Sequence, residues 1–200
     1  MEKLLMAAIL PILLSLRLTA PSEPLPIGAD LPKADVSLHD VSGKTITLKD
    51  ARKENGLLVM FSCNTCPVVI NNQARTTAIS KFALDQQIGV ILLNSNESNR
   101  DGADSPEAMK NYADNQQYNW YYAIDKNNEL ADAFGAKRTP ECFLFDKNGK
   151  LVYHGAIDDN PQDESNSKRQ HLKEAITEMN SGKPVSVTET RSVGCSIKRK

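Results

Sequence analysis

The stretch Phe61-Ser62-Cys63-Asn64-Thr65-Cys66-Pro67 joins a short apolar run to a long segment that contains no glycine. The apolar run, residues 57–60, is bounded by Asn55-Gly56 and predicts a buried strand. In the segment that follows, apolar residues recur at helical spacing, which predicts a helix with one inward face: Ile70, Ala74, Ala78 and Phe82. The two cysteines are therefore predicted to lie where a central strand ends and a helix begins.

This predicted junction suits a reactive thiol. The first turn of a helix has unpaired backbone N–H groups and the positive end of the helix dipole, and both stabilise a thiolate. Pro67 fits such a turn because the N–H that it lacks would have no partner there. Cysteines with two residues between them can close a small ring, so we expect Cys63 and Cys66 to cycle between dithiol and disulfide.

Two structural interpretations compete with redox chemistry for this pair. The cysteines could form an inert disulfide, or they could supply half of a zinc site. A structural zinc site usually needs a second pair of Cys or His ligands, whereas Cys142 and Cys195 stand alone and far apart in the sequence. A C-x-x-C pair beside a β-α-β pattern therefore favours redox chemistry.

The N-terminus has the pattern of an export signal. An apolar stretch from Leu4 to Leu16 follows Lys3 and is too short to span a bilayer comfortably, and Ala20 is a candidate cleavage point. Residues 1–20 are predicted to be a signal peptide, with an uncleaved N-terminal anchor as the alternative. Export implies a secreted or periplasmic protein in an oxidising compartment, where a reactive dithiol needs a dedicated electron donor or acceptor.

The remaining chain is long enough for one core of ordinary size. Residues 21–33 are rich in proline and predict an extended lead-in, residues 34–183 a single domain, and residues 184–200 a C-terminal tail. The formal net charge is -1. This gives no basic field for nucleic acid, so nucleic-acid binding is disfavoured. Contact with a membrane is expected only through an uncleaved leader.

The order of predicted elements indicates an α/β fold. A hairpin precedes the central strand, and a second buried strand at residues 88–93 follows the helix, most simply parallel to the first. Ser105-Pro106-Glu107 predicts a capped helix start, and Gly135 a helix end. The other predicted elements are a strand at 120–124, a short helix before residue 135, a hairpin at 141–154 and a last helix around Leu172, Ala175, Ile176 and Met179. This alternation describes a sheet with helices on both faces.

Three features of the sequence resemble a known superfamily. They are the Cys-x-x-Cys pair, Thr139-Pro140 just before the last hairpin, and the segment Phe143 to Lys150. Together they look like the thioredoxin-like redoxins, among the peroxiredoxin-like (AhpC/TSA-type) and TlpA-like proteins. The segments most similar to the peroxiredoxin-like group are residues 63–67, 104–110 and 194–198. The resemblance covers residues 31–198 and implies a central mixed sheet flanked by helices on both faces.

The resemblance also implies roles for individual residues. Pro140 would be the cis-proline that faces the redox pair, and the backbone at Thr139 would be free to pair with a partner's peptide. Cys63 would be the exposed attacking thiol, and Cys66 would resolve the mixed disulfide. The implied activity is thiol-disulfide exchange without a bound organic cofactor. Its partners would be protein thiols or disulfides and an upstream thiol reductase or oxidase.

A peroxidase alignment is the first alternative. Peroxiredoxins carry Thr-x-x-Cys-Pro, which would make Cys66 the peroxidatic cysteine and put Cys63 where a threonine orients peroxide; a thiol is a poorer hydrogen-bonding group. An arginine near the thiolate is also expected, and Arg138 is the candidate. The missing threonine, the dithiol and the Thr-Pro loop favour disulfide exchange. Residues 57–61 contain no acid, so the carboxylate that assists proton transfer in many thioredoxins is not visible at that strand.

The remaining cysteines and histidines leave further alternatives open. Cys195 could resolve an intermediate at the central pair or could pair with Cys142, and sequence spacing cannot decide connectivity. Cys142 lies among aromatic residues on a predicted strand, which favours a packing role. The three histidines are expected at the surface or in turns. A copper-binding protein of the Sco type is the non-enzymatic alternative, with Cys63, Cys66 and His154 as ligands for soft Cu(I); the favoured interpretation includes no metal.

Overall fold

The computed structural model describes residues 23–200. The predicted signal peptide, residues 1–20, lies outside the described residues. Among residues 23–200, no helix combines the length and the apolarity that crossing a membrane requires.

A seven-stranded mixed sheet forms the centre of the protein, in the order β2-β1-β5-β4-β3-β7-β8. The parallel pairs are β3 with β4 and β4 with β5, and the other pairs are antiparallel. This confirms the predicted mixed sheet and the parallel pairing of its two most apolar strands. The strands are β1 Leu38–Asp40, β2 Thr45–Ile46, β3 Gly56–Ser62, β4 Ile88–Asn94, β5 Tyr121–Ile124, β7 Glu141–Phe145 and β8 Leu151–Gly155. A separate two-stranded sheet pairs β6 Arg138–Thr139 with β9 Cys195–Ser196.

In the described part of the chain, residues 23–200, six α-helices accompany the sheet: α1 Leu48–Ala51, α2 Pro67–Asn71, α3 Gln73–Asp85, α4 Pro106–Asn115, α5 Glu129–Phe134 and α6 His171–Asn180. Local sequence explains several of their ends. The backbone N–H of Ala108 donates to the Ser105 hydroxyl at 3.2 Å, so the predicted cap of α4 is confirmed. Helix α5 ends at Gly135, whose φ of 64° lies in the left-handed region that favours glycine.

Two apolar cores lie on opposite faces of the sheet because side chains alternate along a strand. Leu57, Val59 and Phe61 point into a core that α1 and α5 cover. Leu58 and Met60 point into the other core, which α3, α4 and α6 cover. Every residue of β3 is buried, which explains why its sequence is continuously apolar rather than alternating. The predicted arrangement of helices on both faces is confirmed.

The predicted inward face of the long helix is wrong. Ile70 is 51% exposed, and Ala78 is also exposed. The segment is two helices, α2 and α3, that meet at Asn72. The change of direction rotates α3 so that another set faces inward: Arg75, Thr76, Ile79, Ser80 and Ala83. The apolar pattern missed this face because it contains a buried arginine, which an ion pair with Asp158 at 2.7 Å compensates.

Candidate active site

The cysteine pair occupies the predicted junction between a strand and a helix. Strand β3 ends at Ser62, Cys63 follows directly, Cys66 is the N-cap residue of α2, and Pro67 is the first helical residue. Because β3 lies in the middle of the sheet, its end fixes the position of Cys63. The helix start fixes Cys66.

Both thiol positions are buried, which corrects the expectation of an exposed attacking cysteine. Cys63 is 1% exposed and Cys66 is 3% exposed. They form a small apolar cluster with Val69, and Val68 and Cys195 pack against it. The cover over the junction therefore includes the C-terminal tail, which lies more than a hundred residues away in the sequence and which local sequence patterns do not place there.

The structure joins Cys66 to Cys195 by a disulfide, and Cys63 and Cys142 are free. The Cα atoms of the bonded pair are 6.0 Å apart, an ordinary distance for a disulfide. The alternative pairing of Cys195 with Cys142 is wrong. A disulfide between Cys63 and Cys66 is not the bond in this structure, and it stays a prediction.

Cys142 lies away from this cluster, inside β7. It is fully buried, and burial raises the pKa of its thiol far above the ordinary value. A thiol that stays protonated is a poor nucleophile. The expected packing role agrees with this position in the core.

Thr139 contacts both sulfurs of the C-x-x-C pair. Its peptide bond to Pro140 is cis, as the resemblance implied. The Thr139 hydroxyl lies 3.4 Å from the Cys63 sulfur, and the Thr139 carbonyl oxygen lies 3.4 Å from the Cys66 sulfur. The sulfur of Cys66 carries no proton while it is bonded to Cys195, so the second distance is a contact that becomes a hydrogen bond when the thiol forms. The loop therefore holds a polar group against each sulfur.

Buried polar groups hold the turn between the cysteines. The backbone N–H of Asn64 donates to Asp104 at 2.9 Å, and its side-chain oxygen accepts from the Tyr122 hydroxyl at 2.8 Å. Asp104 is fully buried and also accepts from the side-chain amides of Asn94 and Asn96, at 2.8 and 3.0 Å. In the sequence, Asp104 stands out only as the first residue of the segment 104–110 that resembles the peroxiredoxin-like group. Its role in fixing the cysteine turn appears only when the β4 end and this loop are placed together.

Tyr122 remains a hydrogen-bond donor in this network. Burial holds the pKa of its hydroxyl well above the ordinary value, and the nearby groups that would carry negative charge, Asp104 and Cys63, act in the same direction. The hydroxyl therefore stays protonated and donates to Asn64. The sequence signal was weak because Tyr122 looks like any inward residue of a strand.

Glu141 is a buried acid directly after the cis-proline, and sequence analysis gave it no role. One carboxylate oxygen accepts from the backbone N–H groups of Lys137 and Arg138, at 2.8 and 3.0 Å. The other lies 2.8 Å from Nε2 of His154. Burial alone would raise the pKa of Glu141, but these hydrogen bonds outweigh it and lower the pKa below the ordinary value. Glu141 thus fixes the two residues that precede Thr139.

His154 corrects two expectations. It is 8% exposed and so is buried rather than a surface residue, and its ring also stacks on Phe143. The copper ligand set of Cys63, Cys66 and His154 is not assembled, because Cys66 is bonded to Cys195 and His154 is paired with Glu141. Within residues 23–200, no group of three or more His, Cys, Asp or Glu side chains is placed to hold a metal ion.

Arg138, the candidate arginine of the peroxidase alignment, faces the tail. Its side chain is exposed, and its guanidinium donates to the carbonyl oxygen of Gly194 at 3.0 Å. Its backbone pairs with Ser196 in the small sheet. The position of Arg138 next to Thr139 keeps it near the cysteines, but the contact that it makes is to the chain that covers them.

Comparisons with known proteins agree with this architecture. The sequence matches the redoxin family over residues 26–170. It is 27% identical to the thiol-disulfide oxidoreductase ResA of Bacillus thuringiensis over 133 residues, which cover 66% of this chain and 71% of ResA.

Solved structures show the same fold. An uncharacterized conserved protein from Geobacillus kaustophilus is 31% identical, with a TM-score of 0.81 over 88% of this chain and 93% of the other. The exposed lipoprotein thioredoxin of Streptococcus pneumoniae is 25% identical, with a TM-score of 0.54 over 74% of this chain and 99% of the other. The thioredoxin-like fold expected from the sequence is therefore confirmed.

Proposed function

The chain belongs to the redoxin family and is a thiol-disulfide oxidoreductase, and we propose that it exchanges electrons with partner proteins through Cys63 and Cys66. The observation that carries this proposal is the contact of Thr139 with both sulfurs, each at 3.4 Å. Thr139 thus has both sulfurs as neighbours, which supports their action as one dithiol pair beside the cis-proline loop. The Glu141 carboxylate positions that loop by accepting from the backbone N–H groups of Lys137 and Arg138, and Asp104 positions the turn between the cysteines by accepting from the backbone N–H of Asn64.

The proposed exchange follows the ordinary chemistry of thiols. The Cys63 thiolate attacks one sulfur of a partner's disulfide, a bond forms between them, and the partner's other sulfur leaves as a thiolate. The Cys66 thiolate then attacks the Cys63 sulfur and releases the partner's second thiol. The partner gains two electrons and the pair becomes a disulfide. The reverse sequence oxidises a partner dithiol.

Cys63 takes the attacking role in this proposal because of what lies beside it. It is the free cysteine of the pair, and the Thr139 hydroxyl at 3.4 Å is a donor for its thiolate. Cys66 follows it at the N-cap of α2 and packs in the same apolar cluster, so it takes the resolving role. An extended peptide of a partner would bring its sulfur to Cys63 by pairing with the backbone of Thr139.

The proposed setting is outside the cytoplasm, in a secreted or periplasmic protein. The support is the apolar pattern of residues 4–16 together with a dithiol that needs a dedicated reductase or oxidase. N-terminal sequencing of the protein from its native host tests this: a mature start near residue 21 supports export. A chain that starts at Met1 in the soluble fraction of disrupted cells contradicts it.

Trapping of mixed disulfides tests the two roles. We would carry out the test in a Cys195→Ser background, so that Cys66 is not bonded elsewhere, with a synthetic peptide disulfide as partner. Cys63→Ser is expected to abolish exchange, and Cys66→Ser to accumulate the peptide on Cys63. Cys142→Ser is the matched control and should exchange like the background protein. Accumulation of the peptide on Cys66 in the Cys63→Ser protein would transfer the attacking role to Cys66.

A peroxidase is the second candidate, and the Cys66–Cys195 disulfide favours it. Peroxide would oxidise the Cys66 thiolate to a sulfenic acid, and the Cys195 thiol would attack that sulfur, form the observed disulfide and release water. Peroxide consumption that survives Cys63→Ser but not Cys66→Ser would establish this reaction. If both variants still consume peroxide, or if both lose consumption, the result contradicts this reaction.

A further inference from the structure

The C-terminal tail lies on the backbone that a partner's peptide would need. Strand β9 pairs antiparallel with β6, so that Cys195 faces Thr139 and Ser196 faces Arg138. Thr139 is the residue before the cis-proline and the neighbour of both redox sulfurs. An extended partner that pairs with Thr139 and presents a sulfur to the site would take the same place. Residues 194–198, the tail strap, therefore occupy the expected partner position.

The tail strap fits this place closely. A Cβ atom on Gly194 would lie 2.0 Å from the carbonyl oxygen of Thr139, so only glycine allows the strap to approach so far. Ile197 is 6% exposed and belongs to the core beneath β3. Its backbone N–H donates to the carbonyl oxygen of Lys137 at 3.0 Å. Gly194 lets the strap approach Thr139 closely, and Ile197 fills a place in the core, so the strap is complementary to the site around Cys195.

Hydrogen bonds connect the strap to the turn that carries the cysteines. The backbone N–H of Lys198 donates to the side-chain oxygen of Asn96 at 2.8 Å, and the same Asn96 donates to Asp104. Asp104 in turn accepts from the backbone of Asn64 between the two cysteines. The carbonyl oxygen of Lys198 also accepts from the backbone N–H of Ser98 at 3.0 Å. Docking of the strap and the shape of the cysteine turn therefore share one network.

The sulfurs of Cys63, Cys66 and Cys195 lie in one cluster where the strap meets the cysteine turn. Cys66 is bonded to Cys195, and the free Cys63 packs in the same cluster. Cys63 and Cys66 are buried, whereas Cys195 is only half-buried. Cys195 is therefore the least buried of the three cysteines, and we expect a reductant from solvent to meet it first.

We infer that the tail strap occupies the place of a partner's peptide strand, and that Cys195 is a third redox cysteine. Cys195 replaces Cys63 as the disulfide partner of Cys66, and the strap then covers Thr139. This inference rests on the proposed exchange at Cys63 and Cys66. The Cys195 thiolate attacks the Cys66 sulfur of the Cys63–Cys66 disulfide. The Cys66–Cys195 bond forms, the Cys63–Cys66 bond breaks, and Cys63 leaves as a thiolate, with no net change in oxidation state.

Transfer of the disulfide to Cys66–Cys195 gives the substrate and the reductant different cysteines to react with. Substrate disulfides meet Cys63, whereas the reductant attacks Cys195, the most accessible sulfur of the three. A thiolate of a dithiol reductant forms a bond to Cys195 and expels Cys66 as a thiolate. The second thiol of the reductant then releases Cys195, so the protein gains two electrons and the reductant becomes a disulfide. The strap can then leave Thr139 and open the site to the next substrate.

Disulfide mapping over time tests this inference on the full chain. The reduced protein is mixed with excess oxidised dithiothreitol, samples are quenched with acid and alkylated, and peptides are identified by mass spectrometry. The Cys63–Cys66 linkage should appear first and pass into Cys66–Cys195, which should exceed it at equilibrium by about tenfold or more. Ser196→Ala is the matched control and should follow the same course. In Cys195→Ser the first linkage should form and persist.

Two results would overturn the inference. One is a Cys66–Cys195 bond that dithiothreitol does not reduce in the folded protein, because it would then be a fixed structural disulfide. The other is a Cys63–Cys66 bond that persists in the wild-type protein. Exchange by Cys195→Ser with the peptide disulfide separates these failures from failure of the proposed function. If Cys195→Ser exchanges, the central pair is right and only the third cysteine is wrong; if a folded Cys195→Ser and Cys195→Ala both fail, the central pair is wrong.

Discussion

Cys142 and Cys63 are both free and both buried, but the structure covers them in different ways. Cys142 is 0% exposed and lies within β7, where Met60 of β3 and Gly155 of β8 are its neighbours across the sheet. Cys63 is 1% exposed and lies at the end of β3, under a tail strap that pairs through only two residues. The exposed fractions of the two residues are almost equal. What differs is the amount of structure that must open before a reagent can reach the sulfur.

This difference separates a packing thiol from the thiol that we propose to be redox-active. Exposure of Cys142 requires the central sheet to open, which costs a large part of the roughly 5–15 kcal/mol that stabilises an ordinary domain. In the proposed cycle, exposure of Cys63 requires reduction of the Cys66–Cys195 bond and displacement of the strap, including Ile197 and the hydrogen bonds of Lys198. A buried thiol in a static structure can therefore be reactive when its cover is short and is held by a reversible bond.

Alkylation rates give the largest expected contrast. In the reduced, folded protein, we expect iodoacetamide to modify Cys63 about a thousandfold faster than Cys142, because local opening is far cheaper than opening of the sheet. That ratio corresponds to about 4 kcal/mol. Peptide mass spectrometry at successive times measures both rates in one sample. Equal rates would mean that the two covers open together and would remove the distinction.

Glu141→Gln tests whether the Glu141 carboxylate stabilises the segment that precedes Thr139. The carboxylate accepts from three donors, on Lys137, Arg138 and His154. A glutamine side chain has one acceptor and would turn its amide N–H₂ toward a donor, so we expect the free energy of unfolding to fall by about 3 kcal/mol. Urea unfolding measures it. Glu129→Gln, which removes the charge of an exposed pair with Lys33, is the control and should change it by less than about 1 kcal/mol.

The stabilisation of the folded protein by Glu141 should decrease as the pH falls. Its pKa in the folded protein is lower than the ordinary value of 4.5, so its stabilisation is complete above about pH 4.5 and is lost as the pH falls through the folded pKa. The difference in unfolding free energy between wild type and Glu141→Gln should therefore shrink as the pH falls from 7 to below about 4.5. A difference that stays constant over this range would mean that the charge of Glu141 does not hold the loop.

Gly194→Ala tests how closely the strap must fit. The added methyl group would meet the Thr139 carbonyl oxygen at 2.0 Å, so the strap must withdraw. We expect the equilibrium ratio of Cys66–Cys195 to Cys63–Cys66 linkages to fall about tenfold, or about 1.4 kcal/mol. Disulfide mapping measures the ratio. Val193→Ala, at an exposed neighbour, should leave it unchanged; an unchanged ratio in Gly194→Ala would show that β9 does not position Cys195.

Cys142→Ala should have the smallest effect. It removes one buried sulfur from the core and should lower the free energy of unfolding by about 1 kcal/mol. Exchange with the peptide disulfide should remain within about twofold of wild type, because no reacting group is lost. Urea unfolding and the exchange assay measure the two effects. A large loss of exchange would mean that Cys142 takes part in the chemistry.

Local sequence was a good guide wherever neighbouring residues decide the structure. The continuous apolar run before Cys63 became the central strand, and Ser105-Pro106 became a capped helix start. The helix after the cysteines shows where this guide fails. Its inward face contains Arg75, whose burial depends on Asp158, and a periodicity based on apolar residues cannot anticipate an ion pair with a residue 83 positions away.

In the candidate site, too, some residues could be identified from the sequence and others only from their contacts in the structure. Cys63, Cys66 and the Thr139–Pro140 loop were identified from motifs and family resemblance. Asp104, Tyr122 and Glu141 were not identified, because a buried polar side chain is recognised by its partners and not by its spacing. The two-residue strand β9 also leaves too short a pattern to detect.

The sequence by itself determined the strand-to-helix junction and the pair of thiols placed on it, because strand and helix periodicities are properties of neighbouring residues. Only the tertiary structure decided that Cys66 is bonded to Cys195, 129 residues further along the chain, and that both thiol positions are covered. Packing of the whole domain sets which distant cysteines come within bonding distance, and no local pattern carries that information.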